Sequence, residues 1–131
     1  MGFPSPAADY VENRISLDMM CNTHGASVYF FRSASASERA GIKKDAILIV
    51  NSALKAVDGS IIAAQLKGEF KLVRYRLHPE PHLEELDHPE QRLPLLKNEV
   101  EDMDAELCFG VVTHCLNNLR TEEFDADEAL I

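Results

Sequence analysis

The chain has few cysteines, no long apolar run and no leader-like start, and each absence excludes a class of protein. Its three cysteines show no Cys-x-x-Cys spacing, so reduced thiols in the cytoplasm are expected rather than a disulfide framework. No apolar run approaches the roughly 18 residues that a membrane-spanning helix needs. The start, Met1-Gly2-Phe3-Pro4, has no charged segment followed by an apolar one, which argues against a signal peptide.

Basic residues are also scarce. The chain carries 13 Lys and Arg against 22 Asp and Glu, which gives a formal net charge of −9 and an isoelectric point of about 4.9. An acidic surface repels phosphate, and the basic residues are scattered along the chain, so direct binding of nucleic acid is disfavoured. A protein partner is the simpler expectation, and neither the charge nor the apolar pattern indicates a membrane.

The length and the apolar pattern predict one mainly β domain. With 131 residues, of which 46% are hydrophobic, the chain is long enough to bury a core. No segment has a long helical pattern, although residues 18–21 look like a helical turn. The expected architecture is a set of curled antiparallel sheets, or an open barrel, with few short helices. Strand-like runs occur at residues 28–32, 46–51, 60–66, 69–77 and 107–116.

Other segments have a weaker pattern. Residues 78–94 contain four prolines and many charges, which predicts a loop or an irregular edge with a short edge strand at residues 93–96. Residues 37–40 predict one helical turn that Gly41 ends. Residues 1–8 are interpreted as an extended arm, and residues 121–131 as an acidic C-terminal tail outside a single domain of residues 1–120.

A turn rich in small residues, Ser33-Ala34-Ser35-Ala36-Ser37-Glu38, lies between the first two predicted strands. A serine at such a place is either a nucleophile held by a rigid scaffold or a solvated loop residue. Nucleophilic serine needs a neighbouring base, and residue type alone does not supply one. The two interpretations therefore remain open at this point.

The first residues carry a specific resemblance. Residues 2–12, GFPSPAADYVE, followed by Arg14 and Ile15, resemble the start of the processed UmuD form in the LexA/UmuD (S24) peptidase family. Weaker similarity continues through Tyr29-Phe30, residues 48–50, residues 68–70 and residues 109–112. The match covers about residues 2–120 and leaves the acidic tail outside.

This resemblance implies a fold, an activity and partners. The fold would be that of the LexA/UmuD peptidase domain. Family members use a Ser–Lys dyad to cleave their own N-terminal arm when RecA bound to single-stranded DNA stimulates them. The processed form is a homodimer that binds a UmuC-type polymerase in the SOS response to DNA damage and permits translesion synthesis.

The chain departs from the family at the positions that carry the chemistry. Matching the family motif Ser-Gly-Asp-Ser-Met to residues 34–38 puts Ser37 at the position of the nucleophile, beside Glu38. Counting from the Gly-Glu-Phe of residues 68–70, the general-base lysine falls on Val73, which cannot take a proton. Lys71 shares a strand face with Val73 and is an unlikely substitute base. Arg74 is excluded because its guanidinium stays protonated.

Two main hypotheses follow from these departures. In the favoured one, the protein is a catalytically inactive, cytoplasmic UmuD-like subunit that forms a homodimer, or a heterodimer with a UmuD-type protein, and engages a UmuC-type polymerase or the RecA filament. Because Gly2 follows Met1, we expect a form that lacks the substrate arm. The alternative is an active serine peptidase that cleaves itself or a UmuD/LexA-type partner through Ser37 with a non-standard base. A third interpretation gives the tail an unrelated regulatory contact.

No cofactor and no metal site are expected. His78 and His82 have the spacing of a helical metal pair, but Pro79 and Pro81 exclude that helix. Cys108, His114 and Cys115 lie on one apolar strand, and core packing is a better interpretation of them than metal binding. Residues 125–128 lack the glycine of a calcium loop, so a solvated tail is the better interpretation of them.

Overall fold

A computed structural model describes residues 15–97 and 107–120 of the chain. In these residues one antiparallel sheet of seven strands has the order β1-β2-β7-β3-β4-β5-β6. Its outer strands, β1 and β6, are not paired with each other in the described part of the chain, so the sheet is open rather than a closed barrel. The elements are α1 (Leu17–Cys21), β1 (Val28–Arg32), β2 (Ile47–Asn51), β3 (Ile61–Leu66), β4 (Glu69–Arg76), β5 (His82–Glu85), β6 (Arg92–Pro94) and β7 (Cys108–Leu116).

The sheet is buried on both faces at its centre. Strand side chains alternate between faces, and on β3 Ile62 and Ala64 enter one apolar cluster whereas Ala63 enters the other. The first cluster, here called core A, also contains Val73, Tyr75 and Leu83. The second, core B, holds seven buried residues from several parts of the sheet and its connections. Core B consists of Phe31, Ile42, Ala46, Leu48, Val50, Ala63 and Leu86.

Strand β7 joins the two halves of the sheet and needs glycine at its centre. It pairs with β2 on one side and β3 on the other, and each pairing contains a shift in register. A Cβ atom on Gly110 would lie 2.8 Å from Cγ1 of Val50 and 2.9 Å from the carbonyl oxygen of Asn51. Those distances are too short for any side chain, so the close approach of β2 and β7 depends on Gly110.

The prediction of a mainly β fold is confirmed. The five strand-like runs correspond to β1, β2, β3, β4 and β7, and the helical turn at residues 18–21 lies in α1. None of the helices in residues 15–97 and 107–120 is long and apolar enough to cross a membrane. The predicted boundaries of the arm and of the acidic tail lie outside the described residues.

The interpretation of residues 78–94 as a loop with one edge strand was wrong in part. This segment contains β5, which pairs with β4, as well as the short edge strand β6. Strand β5 was missed because its sequence, His-Leu-Glu-Glu, is polar at three of four positions although the first three residues are buried. Residues 38–41 form a turn, not the predicted helical turn.

Candidate functional site

Ser37 lies in the connection between β1 and β2 and is held there by its own backbone. Its N–H donates to the carbonyl of Ile42 over 2.7 Å, and the N–H of Ile42 donates back to the carbonyl of Ser37 over 2.9 Å. Gly41, with a φ of +72°, allows the turn between these two residues to close. The pair fixes Ser37 against core B, of which Ile42 is a member.

The hydroxyl of Ser37 has two partners of its own. Its Oγ accepts the N–H of Ala40 over 3.3 Å, and it donates to Oδ1 of Asp87 over 2.9 Å. The whole residue is 5% exposed. Ser37 therefore uses its N–H, its carbonyl and both functions of its hydroxyl inside the protein. It joins the β1–β2 connection to the loop that follows β5.

Asp87 is an acceptor shared by two donors. Besides the Ser37 hydroxyl, it accepts the backbone N–H of Arg39 at Oδ1 over 3.2 Å. The Arg39 N–H, and after it the Ser37 hydroxyl, hold the pKa of the Asp87 carboxyl below its ordinary value, because both stabilise the charged form. A carboxylate with a lowered pKa is a weak proton acceptor, so it orients Ser37 better than it could deprotonate it.

A cavity of about 290 Å³ opens beside Ser37. Its walls are the serine turn, residues 70–72 of β4, and residues 85–88 at the end of β5 and directly after it. Lys71 lies in this wall, but its Nζ donates to Oε1 of Glu85 over 2.8 Å and its side chain is 51% exposed. A lysine acts as a base when desolvation or a neighbouring cation destabilises its ammonium form. The Lys71 side chain is instead half exposed and paired with a carboxylate.

Val73 does not line the Ser37 cavity. It is 3% exposed in core A, where it pairs with Ile62 of β3 and Glu85 of β5 across the sheet. A separate groove of about 650 Å³ has Val73 and Lys71 among its lining residues. The described structure thus brings Ser37 and Lys71 to one cavity and leaves Val73 outside it. The assignment of Val73 to the position of the family lysine stays a prediction.

The contact between Asp87 and Ser37 was not predicted from the sequence. Asp87 is 50 positions from Ser37 and follows a strand that was interpreted as a loop, so no local spacing linked the two. A prediction of β5 would have indicated it, because antiparallel pairing with β4 places Glu85 opposite Val73 and so brings the residues after Glu85 to the cavity that residues 70–72 line. Glu85, the partner of Lys71, was missed for the same reason.

The other candidate ligands are apart or engaged elsewhere. Cys108 is buried, with its Sγ 3.6 Å from the carbonyl of Gly110, and His114 contacts the hydroxyl of Thr113 at 2.9 Å. In residues 15–97 and 107–120, no group of three or more His, Cys, Asp or Glu side chains is arranged to hold a metal ion. Residues 125–128, the candidate calcium loop, lie outside the described residues.

Comparison with known proteins identifies the family. The family model described as Peptidase S24-like matches residues 1–86. Protein ImpA of Escherichia coli is 38% identical over 122 residues, which are 91% of this chain and 79% of that protein. Protein MucA of Escherichia coli is 34% identical over 116 residues, 88% of this chain and 77% of MucA. Protein SamA of Salmonella typhimurium strain LT2 is 32% identical over 124 residues, 93% of this chain and 82% of SamA. With its seven-stranded sheet and the serine turn between the first two strands, the chain belongs to the S24-like peptidase family and is a UmuD-like member of it.

Proposed function

We propose that this protein is a non-cleaving, UmuD-like accessory subunit that acts in the SOS response and in translesion DNA synthesis through protein contacts. The observation that carries the proposal is the environment of Ser37. Its hydroxyl proton is directed at Asp87, and no amine contacts its Oγ among the described residues. General-base catalysis supplies about 10²–10⁴-fold in rate, which a serine without a base forgoes.

The backbone of Ser37 supports the same proposal. Serine hydrolases stabilise the oxyanion of the tetrahedral intermediate with backbone N–H groups, often including that of the nucleophile. Here the Ser37 N–H is already bonded to the carbonyl of Ile42 over 2.7 Å. A substrate oxyanion would have to displace that bond, so one donor of the usual set is occupied.

We propose a homodimer, or a heterodimer with a UmuD-type protein, as the working form, with a UmuC-type polymerase and the RecA filament as further partners. The UmuD-like family membership supports these partners. The net charge of −9 supports protein contacts rather than direct contact with nucleic acid. We also propose a cytoplasmic location. The chain would form one domain of residues 1–120, followed by the acidic tail of residues 121–131.

Sedimentation velocity tests the assembly. The protein alone at micromolar concentration should sediment as a dimer, and its mixture with an intact UmuD-type protein should contain a mixed species. A chain ending at residue 120 should behave in the same way, because the tail is given no role in assembly. Monomer alone, both with and without the UmuD-type protein, would overturn the proposed dimers.

A second candidate function is a peptidase that uses Ser37 with a non-standard base. One observation favours it: Ser37 and Lys71 line the same cavity. Movement of Glu85 would free the Lys71 amine at the edge of that cavity. This candidate requires cleavage of an arm-bearing UmuD-type protein that disappears in both Ser37→Ala and Lys71→Ala, while both variants remain folded.

A further inference from the structure

Strand β5 carries a pair of charged residues inside the protein. The side chains of His82 and Glu84 are only 7% and 8% exposed, and Nε2 of His82 lies 3.2 Å from Oε2 of Glu84. Oε1 of Glu84 accepts from Nε of Arg76 on β4 over 3.3 Å. Nδ1 of His82 lies 2.6 Å from the carbonyl oxygen of Glu80. We call His82, Glu84 and Arg76 the β5 clamp.

The positions of these acceptors fix the protonation state that the clamp requires. The Glu80 carbonyl can only accept, so Nδ1 of His82 must carry a proton. Glu84 is ionised at neutral pH. Burial raises its pKa, but the hydrogen bonds from His82 and Arg76 lower the pKa by more than burial raises it, so that it lies below the ordinary value. Nε2 must then carry a proton as well. Both contacts of His82 are satisfied only by the imidazolium.

The groups around His82 come from β4, from β6 and from its own segment, in which Glu80 lines the same cavity. Arg76 lies opposite it on β4 and Pro94 lies opposite it on β6. Arg92 of β6 lines the same surface cavity as His82, with Nε bonded to the carbonyl of Pro89. Asp58 reaches Arg76 at 3.9 Å from the far side. Glu84 is therefore the one carboxylate in contact with the His82 ring among the described residues.

The clamp is continuous with the Ser37 cavity. Directly after Glu84 come Glu85, which pairs with Lys71, Leu86, which is buried in core B, and Asp87, which accepts from Ser37. We propose that the β5 clamp is a protonation-dependent switch: loss of a proton from His82 loosens β5 and with it the cavity wall at Glu85 and Asp87. The neutral ring would present a lone pair to Glu84 and forfeit a charge-assisted hydrogen bond. Stability from this contact is thus present while the ring carries both protons and decreases as rising pH removes one.

Two NMR measurements on the wild-type chain between pH 5.5 and 8.5 test the switch. Nitrogen-detected correlation spectra of the imidazole ring count the protons on His82. Hydrogen exchange, corrected for its intrinsic pH dependence, follows the amides of Glu85 and Leu95, which bond to the carbonyls of Gln91 and Pro81. Protection of these two amides should fall about tenfold as His82 loses a proton. The amide of Ser52, bonded to Ser27 far from the clamp, is the internal reference.

Two variants sharpen the result. Glu84→Gln should abolish the pH step in protection, because a side-chain amide can accept from a protonated ring nitrogen or donate to a neutral one. His88→Gln should keep the step, since the ring of His88 is exposed and pairs with Glu90, at 3.5 Å, rather than with a residue of the β5 clamp. The proposal is overturned if His82 carries one ring proton over the whole range, or if protection stays constant while it titrates.

Discussion

The Ser37 hydroxyl donates to the Asp87 carboxylate over 2.9 Å and so joins two connections that are 50 residues apart in the chain. This bond gives the serine a structural role at the position predicted for the family's nucleophile. The bonds of its Oγ to Asp87 and to the N–H of Ala40, which an apolar side chain could not make, give the serine a role that does not require catalysis.

A serine with this role should be needed for stability. Ser37→Ala removes the donor to Asp87 and the acceptor of the Ala40 N–H, and both losses occur at a buried residue. We expect its melting temperature to fall by a few degrees. Ser35→Ala, an exposed serine in the same turn, is the matched control and should melt with the wild type. Equal melting of all three proteins would contradict the structural role.

The Asp87 contact should also appear in the acid stability of the protein. Its folded-state pKa is lowered by the Arg39 N–H and the Ser37 hydroxyl, so its contribution is full above the ordinary carboxyl value and is lost as pH falls through the lower folded value. The difference in urea stability between wild type and Asp87→Ala should therefore be constant from pH 5 to 7 and shrink below about pH 4. A difference that stays constant down to pH 2.5 would show that the carboxylate charge is not involved.

The buried position of Val73 predicts a pH-dependent cost for lysine there. In Val73→Lys an ammonium group would enter core A, so folding should lower the lysine pKa, by up to about 3–5 units at a fully buried site. The loss of stability should be large at neutral pH and diminish toward pH 10, because the unfolded state binds the proton more tightly. Val73→Met, the uncharged control, should cost a pH-independent amount of about 1–3 kcal/mol. A Val73→Lys protein as stable at pH 7 as at pH 10 would place the side chain in solvent.

The close pairing of β2 with β7 leaves no room for a side chain at Gly110. Gly110→Ala would put a Cβ 2.8 Å from Val50 and 2.9 Å from the Asn51 carbonyl, and relieving these contacts should cost about 1–3 kcal/mol in the free energy of unfolding. Gly25→Ala meets mainly the side chain of Asn22, which can move, and should cost less. Denaturant unfolding of both variants measures the difference, and the reverse order would refute the packing argument.

The predictable part of the fold is the part with apolar residues in strand-length runs. Residues 46–51 form a continuous apolar run, which the burial of Leu48, Ile49 and Val50 explains. Residues 28–32 and 69–77 also contain β-branched or aromatic residues, although β1 and β4 are only partly buried. Strand β5 was not predictable in this way, because two of its three buried residues, His82 and Glu84, are ionisable side chains that contact each other. Residues 82–85 form a strand because they pair with β4 and β6, and their own hydropathy does not indicate it.

The residues of the candidate site also differ in whether the sequence could indicate them. Ser37 could be indicated by the family motif, and Lys71 by its face on β4. Asp87 and Glu85 could not, because their contacts depend on the unpredicted β4–β5 pairing. Each of these two carboxylates binds a group that the catalytic hypothesis needs free: the Ser37 hydroxyl and the Lys71 amine.

A trans-cleavage assay tests directly whether Ser37 lacks a base in the folded protein. The substrate is an intact UmuD-type protein that carries its N-terminal arm, and cleavage is read by mass spectrometry from neutral to alkaline pH. Wild type, Ser37→Ala, Lys71→Ala and Val73→Lys run side by side, each checked for folding. We expect no cleavage by the wild type at any pH, as for Ser37→Ala. Cleavage by the wild type that is lost in Ser37→Ala would contradict this expectation and show that Ser37 has a base in the folded protein.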